Sequence, residues 1–223
     1  MENSFGKNIL EHKKDDIVLE LFNLNQEQKL ELEKRLKENK GLVRIFVHPI
    51  SALMDDRIIE GQERVSTILV KTIFSEKSPP IIILEDLIKK EVWKKGMKER
   101  MKENSKMPPN EIYLVPTLSR YPFPIVLGRQ EPSSEREWLE EDNGYIEEGM
   151  TKFVSFLNDV GVKKIIVGGA ELEIFNDNLD RCVGNFIRFM KHYSDIEMKL
   201  SLGTIPINKN DIKQTNPDLI KDL

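Results

Sequence analysis

Three histidines and one cysteine are all the imidazole and thiol chemistry available to this 223-residue chain. His48 stands out among them. It follows the apolar run Arg44–Val47 and precedes Pro49, whose ring biases the preceding backbone toward extended conformations. An imidazole placed there suits a general acid or base, and equally a histidine that only stabilises its loop. His12 and His192 read as surface residues. Two carboxylates share the positional logic of His48. Glu85 closes the run Ile81–Leu84, and Glu171 follows Gly168-Gly169. Brought within a few ångströms, Glu85 and Glu171 would form a pair for acid–base or glycosidic chemistry on a polar substrate. Asp86 reads more simply as the N-cap of a following helix.

Substrate contacts are expected from the proline-rich stretch after the third run. Arg120 is suited to clamp a carboxylate or phosphate, Tyr121 and Phe123 to form a wall, and Ser119 to hydrogen bond. Gly168 and Gly169 allow close approach of backbone to a ligand, and Thr204 ends the fifth run. The sequence lacks the glycine-rich dinucleotide and P-loop patterns, so no cofactor is specified. It also lacks His-x-His spacing or a second cysteine, so a metal site is not expected.

Cys182 lies one turn into the helix expected after the fourth run, where a thiol can serve as a nucleophile. Helical spacing also sets it beside Phe186 on the apolar side, which predicts a buried, inert thiol. Gly168-Gly169 with Arg181-Cys182-Val183-Gly184 resembles the corresponding part of the isochorismatase-like cysteine hydrolases. That resemblance covers a minor part of the chain and implies a nucleophilic Cys182 on an α/β fold. The family pairs its cysteine with an aspartate ending strand one and a lysine near the end of a later strand. Here His48 and Arg120 stand at strand ends instead.

What must position these residues is a rhythm of five short apolar runs: Leu42–Val47, Ile81–Leu84, Ile112–Val115, Lys164–Val167 and Met198–Leu202. Each ends in a polar or Gly-containing cluster. Continuous apolar runs are what strands buried on both faces require. Between them, amphipathic spacing predicts helices over 62–74, 86–104, 143–159 and from Asn178 to about Tyr193. Asn25 with Gln28 signals a capping box at the start of an earlier helix, and Gly41 its end. The expected fold is a three-layer α/β/α, Rossmann-like domain with a mostly parallel five-stranded sheet and an N-terminal helix. It occupies residues 25–208, between a loosely ordered segment 1–24, in which Ile17-Val18-Leu19 with Leu21-Phe22 suit a short strand or a helix turn, and a polar tail 209–223. Ligands of such sheets collect beyond the carboxyl ends of the strands.

Bulk composition narrows the partners. The net charge of −4 argues against nucleic acid and anionic membranes. No apolar run has the length of a membrane span. A lone cysteine excludes an intrachain disulfide and suits a reducing, cytoplasmic setting. Function is expected to be binding of a small polar molecule, with hydrolase or transferase chemistry at the carboxyl edge. The alternative is a non-catalytic interaction or regulatory protein acting through its charged surfaces. The basic stretch Lys89–Lys106 and the acidic stretch Glu131–Glu148 would then pair within a subunit or across a homodimer.

Overall fold

The computed structural model describes residues 18–49, 71–72, 74–75, 78–86, 95, 111–118, 122–125, 143–169, 172–175 and 178–205. The expected helices over 62–74 and 86–104 fall almost wholly outside these residues.

The chain forms β1 (Val18–Glu20), a 3-10 turn (Leu21–Asn23), α1 (Gln26–Glu38), β2 (Leu42–Val47), β3 (Ile81–Asp86) and β4 (Ile112–Thr117). It continues with α2 (Asn143–Asp159), β5 (Lys164–Gly169), β6 (Glu173–Phe175), β7 (Asn178–Asp180), α3 (Arg181–Tyr193), β8 (Glu197–Leu200) and a last 3-10 turn (Leu202–Thr204). Six strands, all parallel, make one Rossmann-like α/β sheet in the order β1-β4-β3-β2-β5-β8. The sequence rhythm predicts five. The sixth, β1, is a three-residue edge strand paired with β4 over Ile112–Leu114. The sequence leaves a short strand or a helix turn open here, and the chain forms this strand followed by the 3-10 turn. Its neighbour Leu21 is fully buried.

Alternation along the strands separates two apolar faces. Val43, Ile45, Val47, Ile82, Leu84, Tyr113, Val115, Ile165 and Val167 face the side covered by α1, α2 and α3. Phe46, Ile81, Ile83, Ile112 and Leu114 face the other, with Val18 and Phe74 packed against them.

Local chemistry explains the helix ends. Asn25 Oδ1 accepts from the Gln28 N–H and Gln28 Oε1 accepts from the Asn25 N–H, both at 2.9 Å, completing the capping box. Leu32 and Leu36 face the core, while Leu30 stays exposed. α2 ends where Val162 donates to the Leu157 carbonyl at 2.8 Å, beyond Gly161. The third helix departs from expectation. Asn178 does not cap it, because Asn178–Asp180 pairs antiparallel with Glu173–Phe175 as a small hairpin. α3 therefore starts at Arg181, whose left-handed φ of 64° turns the chain from strand to helix.

Topology fixes where a site belongs. From β2 the chain goes next to β3 on one side, and from β5 its next sheet strand is β8 on the other. β2 and β5 are direct neighbours, so the order reverses between them. At such a switch point the carboxyl ends of the two strands leave a crevice.

Candidate active site

His48 stands at that crevice, immediately after β2. Continued alternation would send residue 48 to the same face as Phe46. His48 instead adopts φ 48°, in the left-handed region, while its N–H donates to the Leu84 carbonyl at 2.7 Å. The ring meets groups of the helix-covered side. Nε2 lies 2.7 Å from Thr117 Oγ1, and Nδ1 lies 3.3 Å from Cys182 Sγ. Thr117 ends β4 with the alternation of Tyr113 and Val115, and Cys182 packs against the same core from α3. His48 and Thr117 are fully buried, whereas Cys182 keeps partial exposure.

The spacing with Phe186 predicts a buried thiol, whereas Cys182 is only partly buried and lies against the His48 ring. α3 begins at Arg181, so Cys182 is its second residue. The helix dipole favours negative charge there. Among the described residues, the two non-glycine residues with positive φ besides the α1 terminus are His48 and Arg181, one in this pair and one beside it. Such conformations cost about 1–2 kcal/mol each, and they persist only where the surroundings hold them.

Glu85 and Asp86 close β3. Both are buried, and Glu85 Oε1 accepts from the Asp86 N–H at 3.0 Å. Glu85 alternates with Ile81 and Ile83 toward the face away from Thr117. Asp86 shares the face of Thr117, its register partner on β4. Gly168 and Gly169 close β5 opposite Phe46 and Val47. A Cβ on Gly168 would collide with Thr204 Oγ1, and one on Gly169, at φ 145°, with the Val47 backbone. The pair thus permits tight closure of the β2–β5 end. Thr204 is buried, and its hydroxyl donates to the Ser201 carbonyl at 2.8 Å. Ser119, Arg120, Tyr121 and Glu171 lie outside the described residues. Of the proline-rich stretch, residues 122–125 fold back along β4 through a Thr117–Pro124 bridge. Phe123 is buried there, 4.2 Å from the Phe189 ring in α3.

The structure thus brings together His48, Thr117 and Cys182. Sequence reasoning nominated the first, left Thr117 unassigned and set Cys182 aside. A signal existed for Thr117, which caps an apolar run beside two other strand-end candidates. No signal announced the left-handed His48, although histidine is among the side chains enriched there. A surface groove of about 640 Å³ follows the outer side of α2 between Glu147 and Asp159 and contains none of these residues. Among the described residues no helix is long and apolar enough to cross a membrane, and no three His, Cys, Asp or Glu side chains cluster as metal ligands.

Compared with known protein families, curated proteins and solved structures, the chain matches none. A thiol 3.3 Å from an imidazole nitrogen at a helix N-terminus has the spacing that a nucleophile and its base require.

Proposed function

We propose that this chain is a thiol-dependent hydrolase or acyl transferase. It binds a small polar substrate at the carboxyl edge of its sheet, with Cys182 as nucleophile and His48 as general base and acid. The observation that carries this reading is the contact between His48 Nδ1 and Cys182 Sγ at the β2–β5 switch point. The partial exposure of Cys182 above a buried His48 supports it, because the sulfur is then the member that meets substrate.

The steps follow from that order. Nδ1 takes the thiol proton, and the thiolate attacks the acyl carbon of an ester or amide. A C–S bond forms, the bond to the leaving group breaks, and the departing oxygen or nitrogen receives the proton from Nδ1. Water or a second polar acceptor then gives its proton to Nδ1 and attacks the thioester. The C–S bond breaks, and the sulfur recovers its proton. Nearby N–H groups at the start of α3 stabilise negative charge on the sulfur. We assign substrate contacts to Ser119, Arg120, Tyr121 and Glu171, which continue the chain from Thr117 and Gly169. Glu85 carries no step, because its strand position turns it away from the trio.

A chromogenic acyl ester tests this. With p-nitrophenyl acetate the protein should release a burst of p-nitrophenolate near one equivalent and carry acetyl on Cys182 by mass spectrometry. His48→Asn should slow acylation about a hundredfold, within the usual range for loss of a general base. Equal acylation in His48→Asn, or no adduct in the folded wild-type chain, would overturn the proposal.

A further inference from the structure

We propose that Thr117 is a positioning residue that selects the proton state of His48. Its hydroxyl oxygen accepts the Nε2 proton and so leaves Nδ1 free to receive the proton of Cys182. The inference rests on reading Cys182 and His48 as nucleophile and base, and it adds what makes that base competent.

A neutral imidazole holds one proton on one of two nitrogens. If the Thr117 hydroxyl donated to Nε2, the proton would sit on Nδ1, facing Sγ, and the ring could not take the thiol proton there. With Thr117 as acceptor, Nδ1 presents its lone pair to Cys182. After transfer both ring N–H groups still have partners, Oγ1 on one side and the thiolate on the other. That matters because His48 is fully buried, and a buried cation needs every donor paired. The Nε2–Oγ1 separation of 2.7 Å lies at the short end for N–H···O bonds, in the range of charge-assisted pairs.

Thr117 is built to hold that oxygen still. It ends a central strand in register with Asp86, and its backbone is bridged to Pro124, with Ile125 donating to the Pro116 carbonyl at 2.9 Å. Its branched side chain is restricted at χ1. Thr117 is itself fully buried, so bulk water is a poor substitute acceptor. Among the described residues, the neighbouring titratable groups are Cys182 on α3 and Asp86 on β3, the register partner of Thr117.

Cys182 is the sole cysteine, so alkylation by iodoacetamide reports it alone. Its rate should be followed against pH in wild type, Thr117→Val, Thr117→Ser and His48→Asn, together with the ¹⁵N shifts of the His48 ring at neutral pH. The wild-type profile should have its midpoint below the ordinary thiol value of about 8.5. Thr117→Val should move the midpoint back toward that value and slow neutral-pH alkylation roughly tenfold, in line with the loss of one buried hydrogen bond. Thr117→Ser should stay within about twofold of wild type, since it keeps the accepting oxygen. The ring shifts should show the proton on Nε2 in wild type or, where the thiol has ionised, on both nitrogens.

A displaced wild-type midpoint that Thr117→Val leaves unchanged would overturn the role of Thr117 while sparing the pair. So would a wild-type ring protonated on Nδ1 alone, a result available even if Thr117→Val fails to fold. An ordinary wild-type midpoint that His48→Asn does not move would remove the pair and this inference with it.

Discussion

Strand β2 has a left-handed, non-glycine residue at each end, and the two ends use the same backbone geometry for different purposes. At the amino end Lys40 (φ 57°) and Gly41 (φ 76°) close α1. Gly41 donates to the Leu36 carbonyl at 2.7 Å and Lys40 to the Lys37 carbonyl at 3.1 Å, while the Gly41 carbonyl accepts from Lys163 and Lys164 of the β5 approach. The whole arrangement is a helix stop made from backbone. At the carboxyl end His48 (φ 48°) closes no helix. Its turn delivers a buried ring to a hydroxyl on β4 and a thiol on α3. Strain that a cap explains is architecture. Strain that brings a histidine ring against a thiol is what the proposed site would require.

Replacing each residue separates the two cases. The largest effect is expected from His48→Asn. Asparagine tolerates the left-handed region, so the fold should persist while acylation of Cys182 falls about a hundredfold; burst kinetics beside a circular dichroism melt would check both halves. Next comes Gly168→Ala, which forces a methyl group onto Thr204 Oγ1 and should destabilise by about 1–3 kcal/mol in urea unfolding. Combining it with Thr204→Ala should return part of that loss, because the obstructing oxygen is gone. Smaller again is Lys40→Gly, which should stabilise by about 1 kcal/mol by relieving the left-handed residue and should leave thiol reactivity untouched. His48→Gly relieves the same geometry and should abolish fast alkylation. If both glycine variants behaved alike toward iodoacetamide, the contrast between the two ends would fail.

The subtlest prediction concerns Tyr113, second residue of β4, near the amino edge. Burial, reinforced by the Glu111 carboxylate that accepts its hydroxyl at 2.9 Å, holds its pKa far above the ordinary tyrosine value. The unfolded chain ionises near pH 10, whereas the folded chain resists. The stabilisation is thus complete below about pH 10 and declines as pH rises beyond it. Tyr113→Phe should flatten the alkaline limb of the stability profile without altering reactivity at Cys182.

Much of the scaffold was legible in the sequence. Its five apolar runs are strands, residues 143–159 form α2 from end to end, and Asn25 with Gln28 makes the expected cap. Periodicity reports burial, and burial is what these segments share. It leaves Val18–Glu20 open between a short strand and a helix turn, because three residues are too few to fix a period. It also misplaced the start of α3, because Asn178 has the chemistry of a cap but the pairing of a strand. At the site, strand-end logic found His48. It could not supply the dihedral that turns the ring, nor a partner 134 residues away in sequence. Cys182 looked inert because helical spacing describes one helix face and is silent about what a neighbouring strand end brings to it.

In the proposed mechanism the left-handed turn after β2 aims His48 at Cys182 and sustains a thiolate there. Thiolate absorbance at 240 nm, followed against pH in wild type and in His48→Asn, tests it most directly, since the chain has one cysteine. The wild-type signal should persist well below the ordinary thiol midpoint of about 8.5, and the variant should titrate near that value. Superimposable curves centred there would contradict the mechanism.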